Sequence, residues 1–214
     1  MAHYELKTTL TALTKDLGRM ERCAAAAQRW AYMPTPTGVP KFTVLHMEIV
    51  TEMAFLRAFL AWEAFLEESF ILYLWGKNPP RGKPPKPCVH PPTRRVAEQL
   101  VAEGKDYADW AEVQNVIKRA ERFFQDGEPY SDALRSRRSR LQDIKIVRNA
   151  TVHSSSYSWE KFQILTRREL ATYPPRLTVG GFLGMTVPHS SPPQSFLECY
   201  LSVIRFVADR IASS

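Results

Sequence analysis

The sequence MAFLRAFLAWEAFLEESFILYLW, residues 53–75, decides the fold of this chain. Its apolar residues lie almost all round a helix rather than along one stripe. A helix of this composition belongs in the middle of a helical bundle, where neighbouring helices cover it on several sides. The helical pattern begins upstream of this stretch, and we therefore predict a central helix from about Phe42 to Trp75.

Among the glutamates of this helix, Glu52, Glu63 and Glu67 are the ones considered to interrupt its apolar surface. Glu63 falls on the same line as Phe59 and Leu66, so its carboxylate is expected to be buried and to need a partner. One interpretation is a structural salt bridge or hydrogen bond. The other is that Glu63 orients a catalytic side chain from behind, with Glu67 or Glu52 as alternatives for that role.

Apolar residues recur at helical spacing in five further segments. These are Leu6–Ala31, Thr93–Glu103, Trp110–Phe124, Ser131–His153 and Gln194–Ala212. Thr93, Asp109 and Ser131 are the candidate N-caps of the middle three. A chain of 214 residues, 44% of them hydrophobic, can bury a full core. We therefore predict an all-α fold in a single domain that spans residues 1–214.

Two segments break the helical pattern. Residues 76–93 form a proline-rich loop in which every charged side chain is basic. Such a loop is extended, and it is either a solvated linker or an arm that contacts RNA. Residues 174–190 contain a glycine turn between Arg176 and Val187, which predicts a small β-hairpin before the last helix.

The net charge of +7 favours an anionic partner. No apolar run is long enough to span a bilayer, and no signal peptide is recognisable, so we expect no membrane partner. The three cysteines and the histidines outside the stretch described next are scattered without ligand spacing. We expect a cytoplasmic protein that holds no metal and no cofactor.

The Ser131–His153 helix ends in Arg148-Asn149-Ala150-Thr151-Val152-His153. This stretch brings together a permanent cation, an amide and an imidazole that titrates near neutrality. At about 3.6 residues per turn, Asn149 and His153 share a face, whereas Arg148 lies about 140° away and reaches His153 only through its long side chain. One copy is therefore a poor site, and the geometry favours two copies in a homodimer. The alternative is simple capping of the helix C-terminus by Arg148 and His153.

This pattern resembles the signature of the HEPN superfamily, helical domains in which an arginine and a polar residue precede a histidine after four to six intervening residues. Arg148, Asn149 and His153 match that signature, and Ala61–Leu66 looks like the acidic helix of several bacterial branches, notably the RiboL-PSP-HEPN type. The resemblance implies a bundle of four to five main helices. It also implies a dimer that often acts as a metal-independent endoribonuclease in toxin–antitoxin or antiviral systems.

Cleaving RNA without a metal requires a base for the 2′-hydroxyl, an acid for the leaving 5′-oxygen and a cation for the phosphorane. His153 suits either proton transfer, Arg148 can hold the non-bridging oxygens, and Asn149 can orient the imidazole or contact the phosphate. A dimer supplies two histidines. Tyr157, in the polar segment that follows His153, is a candidate supporting residue, as are Glu63 and Glu67.

Basic side chains cover the outer faces of the same helix, at Arg135, Arg137, Arg138, Arg140 and Lys145. No acid lies between Arg135 and Arg140. The run is either an ordinary solvated face or a track for RNA phosphates that leads to the signature.

We therefore expect a metal-independent endoribonuclease that cleaves single-stranded RNA through an Arg-x4-His motif at a dimer interface. By resemblance it would act as a toxin or an antiviral-defence effector, with an antitoxin or defence protein as a partner. Two alternatives remain open. One is a non-catalytic HEPN-like dimer that binds RNA, a nucleotide or a partner protein, and the other is a helical adaptor whose basic loop docks on an acidic protein.

Overall fold

The fold is described from a computed structural model that covers residues 5–33, 42–104, 108–153 and 155–213. Over these ranges the chain forms α-helices and no β-strand, so the all-α prediction is confirmed. The helices are α1 (Leu6–Ala31), α2 (Val44–Leu74), α3 (Arg94–Ala102), α4 (Val113–Phe123), α5 (Tyr130–Arg135), α6 (Arg138–Val152), α7 (Ser156–Leu170), α8 (Val179–Gly184) and α9 (Phe196–Ala212).

The chain packs as two compact units, each built from segments that are distant in sequence. Unit 1 comprises Met1–Lys15, Ala61–Gln142 and Val203–Ser214. Unit 2 comprises Asp16–Leu60 and Asp143–Ser202. The boundaries fall inside α1, α2, α6 and α9, so these helices contribute residues to both units.

The C-terminal part of α2 forms the core of unit 1. The ring of Phe70 lies with its centroid 4.9 Å from that of Phe124 and 5.0 Å from that of Tyr130. The Tyr130 hydroxyl donates a hydrogen bond to Ser69 Oγ at 3.0 Å, and the Tyr73 hydroxyl donates to the Ile211 carbonyl at 2.7 Å. Burial raises the pKa of both phenols, so they remain neutral donors. The central helix expected from the sequence is confirmed.

Unit 2 has its own aromatic core, in which α7, α8 and α9 each contribute a ring. The centroid of Phe182 lies 4.3 Å from that of Phe196 in a stacked arrangement and 5.5 Å from that of Phe162 in a T-shaped one. Tyr200 continues the cluster from Phe196 towards Phe55 of α2. These contacts fix α7 and α8 within the unit.

The candidate N-caps had different outcomes. Thr93 caps α3 as predicted, because its hydroxyl accepts a hydrogen bond from the Val96 backbone. Asp109 does not cap α4: it closes the preceding turn, and the side chain of Glu112 takes the cap position. Ser131 was also wrong as a cap, since it is the buried second residue of α5.

The single helix predicted from Ser131 to His153 is two helices, α5 and α6, separated at Ser136 and Arg137. The Ser136 hydroxyl donates a hydrogen bond to the Ala133 carbonyl at 2.7 Å. This carbonyl is thereby engaged by a side chain at the end of α5. Serine side chains commonly compete with helix hydrogen bonds in this way. The apolar periodicity continues across the break, which is why the sequence did not reveal it.

Helix α7 begins within the polar segment that follows His153. Ser155 is its N-cap and accepts a hydrogen bond from the Ser158 backbone at 3.2 Å. Ser154 lies outside the described residues. Serine is strongly preferred at the start of a helix, which accounts for the position of this cap. Phe162 and Leu165 then bury the inner face of α7.

The β-hairpin predicted over residues 174–190 is wrong, because the glycines in this segment belong to helix α8. Thr178 caps that helix by accepting from the Gly181 backbone at 2.9 Å. The Gly180 backbone donates to Glu52 Oε1 at 2.8 Å, and a Cβ at this position would come 2.1 Å from the carbonyl oxygen of Glu48. Glycine is therefore needed for close packing against α2 rather than for a turn.

The proline-rich loop of residues 76–93 is non-helical, as predicted. Its centre pairs with the chain just after α4, within unit 1. The Cys88 backbone donates to the Phe123 carbonyl at 2.8 Å, and the Gln125 backbone donates to the Lys86 carbonyl at 2.9 Å. The loop is thus anchored to unit 1 by backbone hydrogen bonds, while Arg81, Lys83 and Lys86 stay exposed.

Candidate functional site

The Arg-x4-His stretch forms the end of α6 in unit 2. Val147 is buried, Arg148 and Asn149 are half-buried, and His153 is exposed. The last helical residue is Val152, but the His153 backbone still donates to the Asn149 carbonyl at 2.9 Å. The helical ladder therefore holds the imidazole one residue beyond the helix, at the protein surface.

The three predicted catalytic side chains come together within a single chain. Arg148 Nη1 donates to Asn149 Oδ1 at 3.2 Å and lies 3.4 Å from His153 Nε2. The long arginine side chain thus closes the angular gap of about 140° that helix geometry imposes. This small group, Arg148, Asn149 and His153, is called the RNH cluster below.

The aromatic ring of Phe59 lies beneath the guanidinium of Arg148. The Cζ atom is 5.6 Å from the ring centroid, and Phe59 itself is buried in α2. Arg148 Nε is also buried, and no side chain or backbone group in the described part of the chain accepts a hydrogen bond from it. The guanidinium is therefore held on one side by a ring face and directs Nη1 towards the imidazole.

The contact between Arg148 and His153 fixes the roles of the imidazole nitrogens. Arginine has donors and no acceptor, so Nε2 of a neutral His153 is the acceptor and Nδ1 carries the proton. This proton assignment follows from the hydrogen-bond geometry. In this arrangement Nε2 has the lone pair that a general base requires.

The first turn of α7 carries Tyr157, which the sequence suggested as a supporting residue. Its side chain is 66% exposed, and the Nζ atom of Lys161, one turn later, lies 5.2 Å from its ring centroid. An exposed ring with an adjacent cation is suited to a base and its phosphate. Tyr157 follows His153 by four residues, in the same unit.

An ion pair links α6 to α7, and the sequence analysis did not predict it. The Asp143 side chain is 2% exposed, and its Oδ2 accepts from Arg168 Nη2 at 2.7 Å. The pKa of Arg168 is raised, chiefly by this hydrogen bond. Asp143 directly precedes the buried Ile144 of α6, so its place beside the apolar stripe was the available signal.

The acidic candidates on α2 belong to different units. Glu52, in unit 2, is engaged by the Gly180 backbone. Glu63, in unit 1, is half-buried rather than buried as expected. Glu67, also in unit 1, is exposed and lines a cavity of about 470 Å³ with Arg94 and Glu68. A bracing role for Glu63 or Glu67 remains a prediction.

The basic residues proposed to contact RNA are divided between the two units. Arg135, Arg137, Arg138 and Arg140 belong to unit 1, whereas Lys145 belongs to unit 2 with the RNH cluster. Arg135 forms an ion pair with Glu121, a partner that is distant in sequence, so the charge run is partly compensated. Arg137 lies over the Phe206 ring with Cζ 4.4 Å from the centroid. A phosphate track along these residues remains a prediction.

The described residues lack two further features, a cluster of metal-ligating side chains and a helix that could cross a membrane. In those residues no three or more His, Cys, Asp or Glu side chains lie together in a group that could hold a metal ion. None of the helices there has the length and apolar character needed to cross a membrane.

Comparison with known proteins found no match for this chain, whether among protein-family models, curated proteins or solved structures. The resemblance to the HEPN superfamily therefore stays a prediction from the signature residues and the Ala61–Leu66 stretch.

Proposed function

We propose that this protein is a metal-independent endoribonuclease that cleaves single-stranded RNA at the RNH cluster. The observation that carries this proposal is that Arg148 Nη1 lies 3.2 Å from Asn149 Oδ1 and 3.4 Å from Nε2 of the exposed His153. A guanidinium and an imidazole at the surface supply a cation for a phosphate and a group that transfers protons.

A phosphate that enters the cluster would take over Arg148 as its hydrogen-bond donor. The guanidinium then holds the non-bridging oxygens, and His153 Nε2 is released to remove the proton from the 2′-hydroxyl. The O2′–P bond forms as the P–O5′ bond breaks, and an acid donates a proton to O5′. The products are a 2′,3′-cyclic phosphate and a 5′-hydroxyl, and DNA resists because it lacks the attacking oxygen.

This reaction needs one base and one acid, whereas one RNH cluster has a single histidine. We propose that a second copy of the chain supplies the other imidazole in a homodimer. Helix α2 has an exposed apolar face that a second copy could cover. It is formed by Leu45, Ile49, Met53 and Leu60. The spacing of these residues places them on one side of the helix. Leu60 is the sequence neighbour of Phe59, the ring beneath Arg148, which connects the apolar face to the cluster.

Tyr157 and Lys161 extend the proposed site along the RNA. A base can stack on the exposed Tyr157 ring only if it is not paired within a duplex. Lys161 lies close enough to that ring to meet the adjoining phosphate. This pair is the reason for proposing single-stranded rather than duplex RNA. The resemblance to HEPN proteins adds a toxin or defence role, with an antitoxin or defence protein as regulator.

The test compares wild-type protein with His153→Ala on 5′-labelled single-stranded RNA in EDTA. We expect the variant to cleave at least about 100-fold more slowly, as for loss of a general acid or base. His90→Ala is the matched control, because His90 is exposed and lies in unit 1. Cleavage that persists unchanged in His153→Ala contradicts the proposal. If the wild type retains RNA without cleaving it, the protein is an RNA-binding protein instead. If it neither cleaves nor retains RNA, both functions are rejected.

A further inference from the structure

Unit 2 contains a cavity of about 680 Å³ that the RNH cluster does not line. Its walls come from the end of α1, the start of α2, the loop after α7, and α8. The volume is within the range of about 300–1,000 Å³ that is typical of small-molecule sites. Its polar wall residues include Arg29, Tyr32, Glu48 and Arg176.

The part of the wall formed by α8 is fixed by contacts outside the cavity. The Gly180 backbone is bonded to Glu52, and its close approach to the Glu48 carbonyl leaves no room for movement towards α2. Phe182 and Leu183 anchor the same short helix in the core of the unit. This side of the cavity is therefore held in place by the core of the unit, as in a pre-formed binding site.

Two arginines, Arg29 and Arg176, contribute to the wall of the cavity. In the described residues, neither Arg29 nor Arg176 forms an ion pair with a carboxylate, and both side chains are exposed. Among the described residues that line the cavity, Glu48 is the one acid. Two guanidinium groups against one carboxylate give the wall a net positive charge, which favours an anionic ligand.

The remaining wall is suited to a planar ring. Tyr32 offers an exposed aromatic face, while Met47, Leu177 and Met185 provide apolar contacts. The Glu48 carboxylate can accept a hydrogen bond from an N–H or O–H at the edge of such a ring. A ring that stacks on Tyr32 would present its charged group to the arginines.

Arg176 also has a backbone conformation that arginine rarely adopts, with φ of +58° in the left-handed region. It directly follows Pro174 and Pro175, which restrict the chain on that side. Strain of this kind is often retained where a side chain must be presented to a ligand. The cost of the conformation is relieved by glycine, which gives a variant that removes the guanidinium without harming the fold.

We propose that this cavity binds a planar organic anion, a ring that carries a carboxylate or phosphate group, with Arg29 and Arg176 holding the charge. This inference does not depend on the nuclease proposal, because it concerns other residues.

Binding is measured by NMR titration of the full chain with two probes, indole-3-acetate for a ring carboxylate and adenosine 5′-monophosphate for a ring phosphate. The neutral analogues are indole-3-ethanol and adenosine, and acetate and inorganic phosphate are the ring-free anions. We expect at least one probe to shift resonances at the cavity. Its Kd should be about tenfold lower than that of its neutral analogue, since each charge-assisted hydrogen bond contributes on that scale.

The variants Arg176→Gly and Arg29→Gln should each weaken binding of that probe about tenfold or more. His189→Gly is the matched control for the first, because His189 is exposed and has φ of +59° but does not line the cavity. Arg22→Gln, on an exposed position of α1, is the control for the second. Absence of binding by both probes overturns the proposal. Two further results would each overturn it. One is that the ring-free anions bind as tightly as the probes, and the other is that Arg176→Gly and Arg29→Gln both leave the affinity for the probe unchanged.

Discussion

The two halves of α2 have nearly the same apolar composition but different surroundings. In unit 1, the segment from Phe65 to Leu74 has Phe70, Leu72 and Tyr73 at 1% exposure or less. In unit 2, Leu45, Ile49, Met53 and Leu60 are between 46% and 60% exposed on one face. The expectation that neighbours cover the helix on several sides thus holds for residues 69–74, all of which are buried. Apolar composition alone does not reveal whether the chain itself or a partner covers a helix face.

The largest effect should come from the covered half. Phe70→Ala should lower the free energy of unfolding by about 3–5 kcal/mol, because it removes a ring that packs against several others and leaves a cavity. Ile49→Ala, in the exposed half, should change the stability of the monomer by less than about 1 kcal/mol. Urea unfolding of both variants measures the difference. Equal losses would show that the two halves are not distinguished by packing.

The exposed half should matter for association instead. Introducing charge with Ile49→Glu and Met53→Glu together should dissociate the proposed homodimer while circular dichroism stays unchanged, since both side chains are already in contact with solvent. Sedimentation equilibrium measures the molecular mass. Leu100→Glu is the control, because Leu100 is another exposed apolar residue but belongs to unit 1. A wild-type protein that stays monomeric at high micromolar concentration contradicts the dimer.

A smaller effect concerns the ion pair that joins α6 to α7 within unit 2. Arg168→Ala should lower the free energy of unfolding by about 1–3 kcal/mol, because the buried Asp143 carboxylate loses a charged donor. Arg167→Ala, an exposed neighbour on α7, should have an effect within about 0.5 kcal/mol. Thermal or urea unfolding distinguishes them, and an equal response in both variants would assign the ion pair no role.

Local sequence patterns were sufficient for most helices, because apolar periodicity reports which face of a helix is buried. They failed where a residue acts through a distant partner. Gly180 looked like part of a turn because its closeness to Glu48 exists only in the folded unit. The Ser136 break and the Ser155 cap were missed because serine favours several local conformations.

The contacts of the candidate site also fall into two groups, those between neighbours in sequence and those between distant segments. Helix geometry predicts that Asn149 and His153 share a face, whereas Arg148 points about 140° away and can reach His153 only through its long side chain. The structure brings them together. The ring of Phe59 and the ion pair of Asp143 with Arg168 could not be predicted, since each joins segments whose proximity depends on the fold. What this arrangement does to RNA remains a prediction.

The RNH cluster spans six consecutive residues, so its geometry requires almost no loop closure. Sites assembled from remote segments lose their alignment when either segment detaches, whereas this one is established as soon as the last turns of α6 form. Only the contact with Phe59 has high sequence separation. During refolding, Arg148 and His153 should therefore meet early, and docking on Phe59 should follow as a later and separable event.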